Sequence, residues 1–223
     1  MSNIAEKLTT IAENQQKVYD AGKQAERIAL WEAMQNSGKR THYACAFNSE
    51  YWTDENFTPL YPIKTDADAT SMFEECKITD FTKEGVVLDF SACTTLKNLF
   101  RNTKNTEIKL PTLDFSKVVY ATYAFENYWG KDVSLIISEQ FGGVNSFPKC
   151  YYLENVTISG TFGKHIAFKD SNLLSAESVQ NIIDCLKDLT GATAQTITFH
   201  AEVKAKLTDE QKATITAKNW TLG

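Results

Sequence analysis

Leu88-Asp89-Phe90-Ser91 and Leu113-Asp114-Phe115-Ser116 are the same four residues set 25 positions apart, and Phe100 and Phe125 follow them at one common offset. Two more phenylalanines extend the series at a looser interval, Phe73 lying 27 positions before Phe100 and Phe147 lying 22 after Phe125. A second pattern overlaps the first. Phe73-Glu74-Glu75-Cys76 matches Phe147-Pro148-Lys149-Cys150, and the latter runs on to Leu153, Val156 and Ile158 at strand spacing. Glu107 to Pro111 and Asp132 to Ile136 also read as strands. A unit of about 22 to 27 residues, with one strand and one turn or helical segment, cannot bury its own apolar face, so such units stack on a shared core. The recurring phenylalanine is expected to build an inner ladder, and the cysteine to fill a tight turn. Asp89 and Asp114 occupy equivalent positions, which favours a turn or capping role over a pair of catalytic carboxylates.

The segment before the repeats is a helix candidate. Residues 3 to about 36 contain no proline and are rich in Ala, Glu, Gln and Lys. Written as heptads, the a positions are Ile4, Ile11, Val18 and Ala25, and the d positions are Leu8, Gln15, Gly22 and Ala29. This is a coiled-coil seam that starts well and weakens after Leu8. Past Gly22 the stripe broadens to Ala25, Ile28, Ala29, Leu30 and Trp31. Two readings stand: a self-associating stalk seated on Ile4, Leu8, Ile11 and Val18, or one amphipathic helix folded on its own domain. Gly38, after Asn36 and Ser37, is a helix stop.

The segment after the repeats reads as helix, strand, helix, strand. Leu173 to Leu189 carries an apolar stripe of Val179, Ile182, Ile183, Leu186 and Leu189, with Ser175 as N-cap and Gly191 past the end. Gln195 to His200 alternates as a strand, Thr208-x-x-Gln211 is a capping box opening a helix to Ala217, and Trp220 to Leu222 closes as a short strand. Such an element suits the cap that a stack of units needs over its last open core. The fold expected is therefore α/β: a long N-terminal helix over 1–38, a linker or N-terminal cap over 39–70, a short irregular solenoid of repeats over 71–170, and an α+β C-terminal cap over 171–223.

Composition excludes several functions. The 223 residues are 43% hydrophobic and 23% charged, which is ordinary for a globular chain. With 23 basic against 28 acidic residues, the net charge of −5 argues against general attraction to nucleic acid or anionic membrane. No apolar run approaches a membrane span, and the N-terminus does not read as a secretory signal. The five cysteines, Cys45, Cys76, Cys93, Cys150 and Cys185, are odd in number and too widely spaced for a zinc knuckle or redox pair. They read as small buried hydrophobes of a reducing compartment. No phosphate loop, nucleophile elbow or calcium loop is present, so the expectation is a chain without catalytic residues, metal or cofactor.

Phe147-x-x-Cys150-x-x-Leu153-x-x-Val156-x-Ile158 resembles the BspA-like leucine-rich repeats of bacterial surface proteins, and the Leu-Asp-Phe-Ser units look like a diverged form of them. The two ends, Asn3 to Lys23 and Gln195 to Leu222, resemble the corresponding segments of proteins encoded in phages and prophages of gut Firmicutes. The resemblance covers most of the chain, most weakly residues 40–70. It implies a virion- or tail-associated protein without a catalytic set, in which the helix assembles or anchors the chain and the repeats present a surface to a bacterial glycan, a bacterial protein or another virion protein. The alternative it allows is a bacterial cell-surface leucine-rich-repeat adhesin. The repeats are irregular, and the proline of the usual Ile-x-Leu-Pro element survives only at Pro111.

Aromatic pairs are the candidate binding surface: Tyr51 with Trp52, Tyr128 with Trp129, and Tyr151 with Tyr152. Exposed rings bind sugars or protein partners. Adjacent residues of a strand face opposite ways, so one of each pair is expected in the core.

Overall fold

A computed structural model describes residues 13–19, 22, 25, 46–48, 52–55, 57, 63–64, 68–142 and 145–223. The chain divides into two compact units, Met1–Arg40 and Thr41–Gly223. In the first, residues 13–19, 22 and 25 are helical (α1), and Val18 and Tyr19 are exposed. Ile4, Leu8 and Ile11 of the expected seam lie outside the described residues, as does the rest of the expected long helix.

The second unit is mixed α/β. Its strands are β1 (Ile63–Lys64), β2 (Leu88–Asp89), β3 (Leu113–Phe115), β4 (Asp132–Ile137), β5 (Asn155–Ser159), β6 (Ile166–Phe168), β7 (Gln195–Phe199) and β8 (Trp220–Leu222). Its helices are α2 (Ala176–Asp184), α3 (Ala201–Lys206) and α4 (Asp209–Ala217). The strands form three small sheets, β1-β2, β3-β4-β5 and β6-β7-β8, each in sequence order and each pairing parallel. Parallel neighbours in sequence order require the chain to cross back once per strand. Burial alternates as the sequence pattern demands: Val133, Leu135 and Ile137 of β4 and Val156 and Ile158 of β5 point inward.

The core is a file of rings. Phe47, Phe73, Phe100, Phe125, Phe147, Phe168 and Phe199 stack in sequence order, with neighbouring centroids 4.9–6.4 Å apart and near-parallel planes. Phe90, Phe115, Phe141 and Phe162 make a second file at 5.7–6.3 Å. Each such contact adds about 0.5–1.5 kcal/mol beyond the area it buries.

The backbone around the middle rings of the stack follows one rule. Two residues before and two after the ring lie in the left-handed region at Phe73 (Ser71 and Glu75), Phe100 (Asn98 and Asn102) and Phe125 (Tyr123 and Asn127), and at Phe147 the residue two after it, Lys149, does so. Alternate N–H groups serve different partners. Those of Met72, Glu74 and Cys76 close turns three residues back, while those of Ser71, Phe73 and Glu75 donate to Lys97, Leu99 and Arg101 of the following unit. Asn98, Phe100 and Asn102 donate in turn to Thr122, Ala124 and Glu126. These N–H groups are thus paired without a strand or helix being formed.

The recurring aspartates are turn residues. Asp89 Oδ1 accepts from Ser91 N at 3.0 Å and Ser91 Oγ at 2.6 Å, and Asp114 accepts from Ser116 N at 2.9 Å. Asp68 and Asp80 hold Thr70 and Thr82 in the same way.

The C-terminal segment departs from expectation in two places. The helix expected from Leu173 to Leu189 is α2 alone, capped by Ser175 and ending at Cys185. It stops there because Leu186 pairs with Phe162 and Leu189 N donates to Lys218 O. The strand expected over Glu107–Pro111 is a single bridge, Asp80 with Lys109. The Thr208 capping box, β7 and β8 form as read, and His200 caps the short helix α3, which the hydrophobic pattern does not reveal. Helix α2 also finishes a sheet edge. Ser178 Oγ accepts from Val156 N at 2.8 Å and donates to Glu154 O, while the Asn181 amide accepts from Ile158 N at 2.7 Å and donates to Ile158 O. Two side chains thereby replace the missing strand beside β5. Among the described residues, no helix is long and apolar enough to cross a membrane.

Candidate functional site

The stacked phenylalanines index the surface beside them. One residue after each ring come Glu74, Arg101 and Glu126. Arg101 Nη1 lies 3.2 Å from Glu74 Oε1, Arg101 Nε 2.8 Å from Glu126 Oε2, and Lys149 Nζ 2.9 Å from Glu126 Oε1. Burial raises the Glu126 carboxyl, but the Lys149 hydrogen bond and the Arg101 and Lys149 charges outweigh it, holding the group below the usual carboxylate range.

Two residues after each ring come Glu75, Asn102, Asn127 and Lys149, all with left-handed φ. Their side chains form a ladder. Asn102 Nδ2 donates to Glu75 Oε1 at 3.2 Å, Asn127 Nδ2 to Asn102 Oδ1 at 2.9 Å, and Trp129 Nε1 to Asn127 Oδ1 at 3.0 Å. Asparagine tolerates this backbone because its short polar side chain satisfies local groups.

Three residues after each ring the chain turns inward. Cys76, Thr103, Tyr128 and Cys150 are all buried there. Tyr128 is fully buried, packed on Phe100 and Phe125, with its hydroxyl donating to Asp132 O at 3.2 Å. It is therefore removed from the candidate binding surface. Gly130 makes this possible, since a Cβ there would sit 2.1 Å from the Tyr128 hydroxyl. Burial pushes the Cys76 thiol up to about 12 and raises Cys150 and Tyr128 as well, so none ionises near neutrality. Cys93 is buried, Cys185 half-buried, and Cys45 lies outside the described residues.

Four residues after these rings the chain faces out again at Lys77, Lys104 and Tyr151, while Trp129 at the same offset is half-buried. Trp129 N donates to Thr103 O at 3.2 Å, which sets Trp129 one layer from Lys104. The Trp129 and Tyr152 rings meet at 5.2 Å and 46°. Tyr151 and Tyr152 are 50% and 37% exposed, so both members of this pair face solvent. They sit in a turn, where strand alternation does not apply. Next to the ladder lies a half-open depression of about 340 Å³ lined by Glu75, Cys76, Lys77, Asn102, Lys104 and Asn105.

The structure thus brings Trp129, Tyr151 and Tyr152 to one face. Trp52 is half-buried, its ring set edge-on to Phe47 at 5.0 Å, and its carbonyl accepts from Lys77 N at 2.8 Å. Tyr51 lies outside the described residues. The seam residue Val18 is 73% exposed. The amides and lysines beside the aromatics were not singled out from sequence, although Asn102 and Asn127 repeat at the period of Phe100 and Phe125. Chemically the face is a fixed platform of rings with amide donors and acceptors held in register, which suits binding. No group of three His, Cys, Asp or Glu residues poised for a metal occurs among the described residues. No protein-family model, curated protein or solved structure matches this chain.

Proposed function

We propose that the chain is a non-enzymatic interaction module of a phage tail or fibre, located in the virion, presenting a surface for host recognition or assembly. The observation that carries this reading is the Trp129–Tyr152 ring pair, tied through Trp129 Nε1 to the Asn102–Asn127 amide ladder. A ring platform held by its own hydrogen bonds loses little freedom on binding. The resemblance of Phe147 to Ile158 to BspA-like repeats supports reading the stacked turns as a short irregular leucine-rich-repeat solenoid, with residues 171–223 as its cap. Under this reading the N-terminal helix associates copies of the chain through Ile4, Leu8, Ile11 and Val18.

The test is co-sedimentation of the full chain with a panel of intact Gram-positive cells, alongside the double variant W129A/Y152A. Saturable retention on at least one strain, lost in the variant, is expected. Retention on no strain overturns host recognition. Equal retention of both proteins moves recognition off this face. Light scattering on the full chain and on I4S/L8S/I11S checks the helix: an oligomer that dissociates is expected, and an unchanged mass removes the stalk.

A further inference from the structure

We infer that strand β7 is held at both ends by acid-sensitive ties: the Nδ1 lone pairs of His165 and His200 accept backbone N–H groups, so mildly acidic solution loosens β7 and α3 from the stack. The inference stands apart from the recognition face proposed above.

Two of the chain's three histidines serve β7, and both use the same ring atom. Thr196 N donates to His165 Nδ1 at 2.8 Å, and Glu202 N donates to His200 Nδ1 at 3.3 Å. A donor N–H fixes the state of its acceptor. Nδ1 must keep its lone pair, so each ring is neutral with its proton on Nε2. An imidazolium carries a proton on both nitrogens. Its Nδ1–H would point at the N–H it had accepted, so the bond is lost and the ring has to turn away.

Both ties sit where the backbone pairing is short. β6 and β7 pair over three residues, Ile166 with Ile197, Ala167 with Thr198 and Phe168 with Phe199. Just before that ladder His165 adds one bond in each direction: its N donates to Gln195 Oε1 at 3.1 Å, and its ring accepts from Thr196. Just beyond β7, His200 is the N-cap of α3, which is six residues long. A cation at a helix N-terminus opposes the helix dipole, so protonation there removes the cap and adds repulsion. α3 carries Val203 and leads into Leu207, both buried. His165 is exposed and His200 half-buried, so water reaches both rings.

The charged side chains on the segments packed about the two rings are Lys164 before β6, Lys169 and Asp170 after it, Glu202 and Lys204 of α3, and Glu139. The Glu139 carbonyl accepts from Gly163 N, and its carboxylate pairs with Lys187. β7 and β8 contribute no charged side chain. Lys164 and the helix terminus disfavour a charged ring, whereas Glu202 favours one at His200. Among the described residues none of these groups forms an ion pair with either imidazole. The accepted N–H bonds therefore decide what protonation does.

The test uses the full chain. At pH 7.5, long-range proton–nitrogen spectra are expected to show both rings as the Nε2–H tautomer. Between pH 7.5 and 5.5, within the range where histidine changes charge, the Thr196 and Glu202 amide signals should move with the ring signals. The urea midpoint should fall by roughly 0.3–1 M over the same range. Glu126 and Asp80, both held low, stay ionised throughout and add nothing to that fall. Asparagine presents Oδ1 as an acceptor at every pH and caps helices well. The double variant H165N/H200N should therefore melt within a few degrees of the parent at pH 7.5 and lose less than half as much on acidification. His42 is present in both proteins and cancels. An Nδ1–H tautomer at either ring, amide signals that stay fixed while the rings titrate, or equal losses in parent and variant overturns the inference. If the variant does not fold, the tautomers and amide signals of the parent decide it.

Discussion

The middle of the chain and its C-terminal end stack strands in parallel by different devices. Between β2 and β4 the chain returns without a helix, through turns whose left-handed residues are Asn98, Asn102, Tyr123 and Asn127. Beyond β6 it returns through α2, and beyond β7 through α3 and α4. The spacing of paired residues explains the choice. Asn127 and Asn102 pair 25 residues apart, whereas Thr196 and His165 pair 31 apart, which leaves room for the nine residues of α2. The two devices carry different costs. A left-handed residue other than glycine costs roughly 1–2 kcal/mol, and the middle turns each hold two, offset by stacked rings on both sides. The C-terminal returns hold helices whose ends are capped by Ser175, His200 and Thr208. The middle therefore depends on its core, and the end depends on local hydrogen bonds.

The largest test of that contrast is the ring stack. Phe100→Ala removes a ring stacked between Phe73 and Phe125. It should cost about 3–5 kcal/mol in urea denaturation. Phe199→Ala removes a ring at the end of the described file, seated 6.4 Å from Phe168. It should cost clearly less, and equal losses would remove the distinction between interior and end. Next comes the close approach at Gly160, whose φ is +113 and whose added Cβ would meet Ile137 O at 2.0 Å. Gly160→Ala should cost about 1–3 kcal/mol, and a neutral result would mean that β4 and β5 shift freely.

Asn127→Val puts a branched side chain at a φ of 54° and removes two ladder bonds. It should cost about 1–3 kcal/mol, whereas Asn127→Gly, which relieves the backbone, should lose only about 1 kcal/mol. The matching change at the other end, Thr208→Ala, deletes the capping box of α4 and should cost about 1 kcal/mol. Thermal melts of the three variants rank them.

The smallest effect is electrostatic. The Glu126 carboxyl titrates lower in the folded chain than in the unfolded one. Its contribution is fully present above the unfolded value of about 4.3 and is lost as pH falls through the lower folded value. Asp80, held low chiefly by the Thr82 hydroxyl, adds in the same direction. Stability should therefore decline below about pH 4, and E126Q should flatten part of that decline. A variant with the parent's acid profile would show that the Arg101–Glu126–Lys149 cluster contributes no net stability.

Much of the architecture is legible in the residues because its causes are local or periodic. Phe73, Phe100, Phe125 and Phe147 announce the stack by spacing alone. Asp89-x-Ser91 and Asp114-x-Ser116 announce their turns, since each aspartate needs only a donor two residues on. Ser175 and the Thr208–Gln211 box mark helix starts for the same reason. The site was half legible: Trp129, Tyr151 and Tyr152 stand out as aromatics, but Tyr128 stands out equally and is buried. Its position three residues after Phe125 and the absence of a side chain at Gly130 explain the burial, and neither speaks until the stack is built.

Spacing, turn chemistry and caps were determined by the sequence itself, because each involves residues within a few positions of one another or repeats at a fixed interval. Only the tertiary structure decided where α2 stops, that Tyr128 lies inside while Tyr151 and Tyr152 both face solvent, and that Glu75, Asn102, Asn127 and Trp129 join in one hydrogen-bonded row. Those outcomes depend on the register between successive layers, and that register is set by ring stacking and backbone pairing between residues about 25 positions apart.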